Sequence, residues 1–230
     1  MGAAMTEEAP TFEHTRAPTQ LYLISPADVG GDFPQRLARA LDAGLKGRHR
    51  IAAFQFRVKG IDDHAAARLA APLQAICAER EIAFIINDSI TLAKRLNADG
   101  VHLGQDDMAQ NGDVKVAREE LGRDAQIGVT CHNSRHLALE AGEAGADYVA
   151  FGAFYPTTTK EVEHHAEPDL LTWWQGLFEI PCVAIGGINA ENAAPLVRAG
   201  ADFLAISGAV WNGDEAANVK ALMEAITAAQ

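Results

Sequence analysis

A short apolar run recurs eight times after Gln20, and an amphipathic stretch separates each run from the next. The runs are Leu21–Ile24, Ile51–Phe56, Ala83–Ile86, Gly100–Leu103, Gln126–Thr130, Tyr148–Phe151, Cys182–Ile185 and Phe203–Ile206. They carry the β-branched and aromatic residues of strands buried on both faces. Between them, Leu and Ala at three- and four-residue spacing predict helices, for example over Leu37–Leu45, Ala65–Ala78, Val114–Leu121 and Ala190–Ala199, with a last one from about Asp214. An internal repeat marks the same unit: Ala98–Gly104, Ala146–Gly152 and Ala201–Ser207 each open on Ala-Asp and run into a strand. Strict strand–helix alternation implies a parallel sheet. Eight units in one chain imply an α/β fold closed as a (β/α)8 TIM barrel. An open doubly wound sheet would want a Gly-rich first turn, and Ser25-Pro26-Ala27-Asp28 is not one. Pro72 should kink or split the second helix.

No linker divides the chain, so one catalytic domain is expected over residues 20–230, after a polar, flexible tail over residues 1–19. The start lacks the basic and apolar segments of a secretory leader, and Glu7 and Glu8 argue against a lipid anchor at Gly2. No apolar stretch approaches the length of a membrane span. The net charge is −12, which excludes a general binder of nucleic acid or of an anionic membrane. An anionic ligand must then be held by a few local cations, backbone amides and a metal. Cys77, Cys131 and Cys182 are odd in number and widely spaced, which fits a reducing cytoplasm.

In a barrel of this kind the active site lies where strands end. Asp99, Asp147 and Asp202 precede their strands and are read as capping or turn residues of the opposite face. Alternation puts Gln55, Arg57 and Lys59 on one side, an arrangement suited to an anion or, equally, to an internal ion-pair network. Asp88, in Asn87-Asp88, and Asp107 end neighbouring strands. Two close carboxylates repel unless a cation intervenes, and oxygen ligands with cations alongside suit Mg2+ on a polyphosphate; the alternative is two solvated loop residues. The loop Tyr155–Lys160 offers three threonine hydroxyls and a lysine, or is a polar surface loop. Gly186-Gly187-Ile188-Asn189 and Ile206-Ser207-Gly208 form the phosphate site usual after the seventh and eighth strands. His102 is read as a satisfied core residue, and His164-His165 as part of a surface loop. Cys131 and His132 should face opposite ways, which argues against a thiol nucleophile. One of Trp173 and Trp174 should pack on the barrel. The other is surface or a subunit contact, compatible with a homo-oligomer. Two anion sites on one mouth describe a transferase that displaces diphosphate.

These motifs resemble the thiamine phosphate synthase family, in order and over nearly the whole chain after Gln20. The resemblance implies a diphosphate clamp at Gln55–Lys59 and Mg2+ ligands at Asp88 and Asp107. It implies a pyrimidine diphosphate site at Gln55, Arg57, Lys59, Asn87, Thr130 and Lys160, with Lys59, Lys160 and Thr130 catalytic. Thr130 stands in Gly128–His132, where the family usually has Ser. The thiazole phosphate would meet Thr157, Thr159, Gly187, Ile206 and Ser207. The implied partners are two small molecules, hydroxymethylpyrimidine diphosphate and thiazole phosphate, joined after diphosphate leaves. Val58 stands where the family commonly has an acidic residue, Met108–Val116 looks longer than usual, and Glu161 and Glu163 add negative charge. These departures delete no chemical role. A thiazole tautomerase-like paralogue would not need the Asp88/Asp107 pair. An isomerase of a phosphorylated sugar or amino-acid precursor would be Mg2+-independent, and a non-catalytic thiamine phosphate binding barrel would bind without turnover.

Overall fold

The computed structural model describes residues 17–45, 51–157 and 164–230. The tail expected over residues 1–19 lies outside them up to residue 16.

Eight strands close a parallel barrel in chain order: β1 (Gln20–Ile24), β2 (Ile51–Phe56), β3 (Ala83–Asn87), β4 (Gly100–Leu103), β5 (Gln126–His132), β6 (Tyr148–Phe151), β7 (Cys182–Ile185) and β8 (Phe203–Ile206), with β8 pairing back onto β1. The helices outside them are α1 (Phe33–Gly44), α2 (Asp63–Ala78), α3 (Ile90–Leu96), α4 (Gln105–Asn111), α5 (Val114–Leu121), α6 (Arg135–Glu143), α7 (Pro168–Leu177), α8 (Ala194–Arg198), α9 (Gly208–Trp211) and α10 (Glu215–Ala229). No helix among the described residues is long and apolar enough to cross a membrane.

Alternation along each strand divides the core in two. Leu21 and Leu23 face the helices, in one layer with Phe54, Phe84, Phe151 and Trp174. Tyr22 and Ile24 face inward, with Ala53, Ile85, Tyr148, Ala150, Val183 and Ala205. Small residues beside two tyrosines let the rings fill the narrow interior.

The repeated Ala-Asp turns act at the bottom of the barrel. The Asp99 carboxylate accepts from the Phe84 amide at 2.7 Å, Asp147 from Ile127 at 2.7 Å, and Asp202 from Cys182 at 2.8 Å. Each carboxylate fastens the strand it precedes to the strand before it. Asp147 is in turn held by Arg118 at 2.6 Å.

Three expectations change. Helix α2 runs through Pro72 without being split. Pro72 and Arg68, four residues earlier, are both exposed, so water reaches the carbonyl that proline leaves without a donor. Helix α8 begins at Ala194, not Ala190, because the Asn189 side chain accepts from the amides of Glu191 and Asn192 and forms a turn first. Strand β5 extends to His132, with a register irregularity between Thr130 and His132. Trp174 packs on the barrel and donates to the Ile180 carbonyl at 2.7 Å, while Trp173 carries the Arg135 guanidinium over its ring.

Candidate active site

The C-terminal ends of the strands open into a cavity of about 660 Å³. Gln55, Arg57, Lys59, Asn87, Asp88, Asp107, Thr130, Thr157, Gly187, Ile206 and Ser207 all line it. Thr159 and Lys160 lie outside the described residues.

The end of β2 is locked to β1. The Ser25 amide donates to the Gln55 carbonyl at 2.9 Å, and the Arg57 amide donates to Ser25 Oγ at 2.8 Å. From there the Lys59 ammonium reaches Asp88 Oδ2 at 3.1 Å and Asp107 Oδ2 at 3.3 Å. Asp88 has a left-handed backbone, φ 63°, a region that Asp tolerates better than most residues. Its amide donates to the His102 carbonyl at 2.8 Å, and Ser89 beside it caps α3. The strand ladder and the helix cap together hold this conformation. Asp88 Oδ1 accepts from the Gly104 amide at 3.1 Å, and Oδ2 also accepts from the Asn87 side chain.

Burial pushes the Asp88 carboxyl up, and Lys59 and the Gly104 amide only partly oppose it. Burial alone would lower Lys59, but the hydrogen bonds and charges of Asp88 and Asp107 outweigh it and raise the ammonium above its ordinary range.

No group of three or more His, Cys, Asp or Glu among the described residues forms a metal cluster. The protein offers two carboxylates. Mg2+ is commonly held by one or two carboxylates, with waters and phosphate oxygens completing its shell. A Cβ at Gly104 would stand 3.0 Å from Asp107 Oδ2 and 3.3 Å from Asp88 Oδ1, so only glycine leaves the space between them open. The residues fit Mg2+.

Across the mouth, the Tyr155 amide donates to the Gly186 carbonyl at 3.1 Å and its hydroxyl to the Asn192 carbonyl at 2.8 Å. The Asn192 side chain donates to the Gly187 carbonyl at 3.0 Å. Tyr155, two residues before Thr157, is thereby tied to the turn after β7. Ser207 Oγ donates to the Ser25 carbonyl at 3.3 Å, which joins the end of β8 to β1.

Three cavity residues were not foreseen as such. His102, read as core, is 7% exposed and lines the cavity floor. Its Nδ1 meets the Tyr148 hydroxyl at 3.1 Å and its Nε2 meets Thr130 Oγ1 at 2.8 Å. Burial, and then the Arg57 charge, lower its pKa to about 4, so the ring is neutral near pH 7. His132 and His164 face one another at the rim, with ring centroids 4.8 Å apart. The neighbouring Cys131 points into the core, and burial pushes its thiol up to about 12. It cannot serve as a nucleophile near neutrality.

The family model described as thiamine monophosphate synthase matches residues 21–210. A thiamine-phosphate synthase of Erythrobacter litoralis is 68% identical over 217 residues, which are 94% of this chain and 99% of that protein. The chain belongs to the thiamine monophosphate synthase family. A thiamine-phosphate synthase of Rhodospirillum centenum is 52% identical, over 84% of this chain and 89% of its own. A solved thiamine phosphate pyrophosphorylase from Pyrococcus furiosus superposes with a TM-score of 0.77 at 27% identity, covering 91% of this chain and 96% of its own. As a thiamine monophosphate synthase family member, the chain is an enzyme, a transferase of thiamine biosynthesis.

Proposed function

We propose that the protein transfers the hydroxymethylpyrimidine group from its diphosphate to thiazole phosphate, giving thiamine phosphate and diphosphate. The observation that carries this reading is the grouping of Arg57, Lys59, Asp88 and Asp107 on the same cavity as Thr157, Gly187 and Ser207. One side is suited to a highly charged leaving group, the other to a monophosphate. A cavity of about 660 Å³ lies in the range that takes small organic ligands.

In this reading Arg57 and Lys59, with Lys160, receive the diphosphate. Asp88 and Asp107 would hold Mg2+, which when bound supplies further neutralisation of the leaving charge. The bond between the pyrimidine methylene carbon and the diphosphate oxygen breaks, and its electron pair leaves with the diphosphate. The ring amine stabilises the methylene cation that results. Thr157, Thr159, Gly187, Ile206 and Ser207 hold the thiazole phosphate, whose ring nitrogen gives its lone pair to the new C–N bond. Asn87 and Thr130 orient the pyrimidine diphosphate. No protein nucleophile is needed, so the residues act by positioning and by charge stabilisation. The buried thiols of Cys77, Cys131 and Cys182 support placing the enzyme in the cytoplasm.

The test is turnover of both substrates with and without Mg2+, read by oxidising thiamine phosphate to its fluorescent thiochrome derivative. Mg2+-dependent product is expected. Binding of thiazole phosphate without product would move the protein to the tautomerase-like or binding-barrel alternatives.

A further inference from the structure

Five side chains cross the barrel interior in one hydrogen-bonded line. Gln55 Nε2 donates to the Tyr22 hydroxyl at 3.1 Å. The Tyr22 and Tyr148 hydroxyls are 2.9 Å apart. Tyr148 then meets His102 Nδ1, and His102 Nε2 meets Thr130 Oγ1 at 2.8 Å. Gln55 and Thr130, the two ends, line the cavity, whereas Tyr22 and Tyr148 do not. Both phenols are buried in the barrel core, where burial keeps them neutral.

We infer that Tyr22, Tyr148 and His102 are positioning residues: they link the Gln55 amide to the Thr130 hydroxyl and fix that hydroxyl as a hydrogen-bond donor to the bound pyrimidine diphosphate. This rests on the proposed transferase reading. The direction follows from counting protons. Tyr22 accepts from Gln55, so its own proton goes to Tyr148. The Tyr148 proton goes to Nδ1 of the neutral imidazole, which must then carry its hydrogen on Nε2 and donate it to Thr130 Oγ1. The Thr130 proton has no acceptor among the described residues, and Thr130 lines the cavity. Turning the Gln55 amide over would reverse every bond and make Thr130 an acceptor. What Thr130 offers a ligand is therefore set at the opposite wall of the barrel.

The line is built into the backbone as well. A Cβ at Gly128 would overlap the Tyr148 ring, so β5 carries glycine where β6 carries the phenol. The Tyr148 ring also stacks on His102 at 5.6 Å. Hydrogen bonds in such a buried series polarise one another, and one break is felt along the line.

Two measurements on the whole protein test this. The first is the ring tautomer of His102 by two-bond 1H–15N correlation, with the His102→Gln variant assigning the signal. A neutral ring protonated on Nε2 is expected, relaxing to a tautomer mixture in Tyr148→Phe. A ring protonated on Nδ1, or a tautomer unchanged in Tyr148→Phe, would overturn the proposal. This arm uses no substrate, so it stands or fails separately from the transferase reading. The second is a double-mutant cycle. Tyr148→Phe should lower kcat/KM for the pyrimidine diphosphate by roughly fivefold, mainly through KM, leave KM for thiazole phosphate unchanged, and add nothing in a Thr130→Val background. Additive losses would show that Tyr148 acts only through the core and would sink the idea.

Discussion

The Lys59 ammonium lies 3.1 Å from Asp88 Oδ2, and its second partner is Asp107. The protein thus places a cation of its own between two carboxylates that would otherwise repel. Asp88→Ala and Asp107→Ala should each abolish Mg2+-dependent turnover while leaving thiazole phosphate binding nearly intact. Thiochrome fluorescence reads the first and calorimetry with thiazole phosphate reads the second. Unchanged turnover in both variants would remove the metal assignment.

Arg57 projects from the locked end of β2 into the cavity. Hydrogen bonds to charged groups are among the stronger ones in proteins. Arg57→Ala should lower kcat/KM for the pyrimidine diphosphate by roughly 10- to 100-fold. Arg57→Lys should recover only part of this, because an ammonium lacks the planar fork. Steady-state kinetics with each substrate varied in turn decides it, and an effect confined to KM for thiazole phosphate would contradict the placement.

Asp147 works at the other end of the barrel, where it holds the Ile127 amide and Arg118. Asp147→Ala leaves a strand amide without its acceptor and should cost about 1–3 kcal/mol of stability. Urea unfolding would show the loss. Turnover well below the melting temperature should be unchanged, since the bottom face serves stability rather than chemistry.

His102 makes stability depend on pH. Its pKa falls to about 4 in the folded chain, against about 6.5 in an unfolded one. Between these values the unfolded chain binds more protons, so stability falls as pH drops from about 6.5 towards 4. For a ring this deeply buried the full effect is on the order of 3 kcal/mol. Thermal melts across that interval should show a steeper acid decline in the natural protein than in His102→Gln. Equal slopes would place the acid sensitivity elsewhere.

The barrel was legible because its period is coarse: eight apolar runs survive errors of one or two residues at their ends. That Gln55, Arg57 and Lys59 line the cavity was legible because strands of known direction tell which end of the barrel they reach. His102 is the satisfied core residue expected, but its place on the cavity was hidden for the reason that made its strand easy to find. A strand buried on both faces has no polar side to betray which residues look into a cavity. The residue is both a satisfied core histidine and a cavity wall. Helix α4, which carries Asp107, was not foreseen because Gln-Asp-Asp-Met-Ala-Gln-Asn has no apolar stripe. The late start of α8 at Ala194 hid in the Asn189 side chain, whose turn competes with the helix that Leu and Ala spacing alone predicts. Pro72 misled in the other direction, since only its exposure made it harmless.

The three aspartates beneath the barrel bind β3 to β4, β5 to β6, and β7 to β8. In the first couple, β1 with β2, the matching position lies outside the described residues and is Arg50, which offers no carboxylate. Among the described residues three couples are stitched in this way, and across two of the seams the same aspartates accept through their main chain, Asp99 from the Gln126 amide and Asp202 from the Gln20 amide. The base of the barrel is thus hooped by a side chain inside three couples and by main chain across those seams.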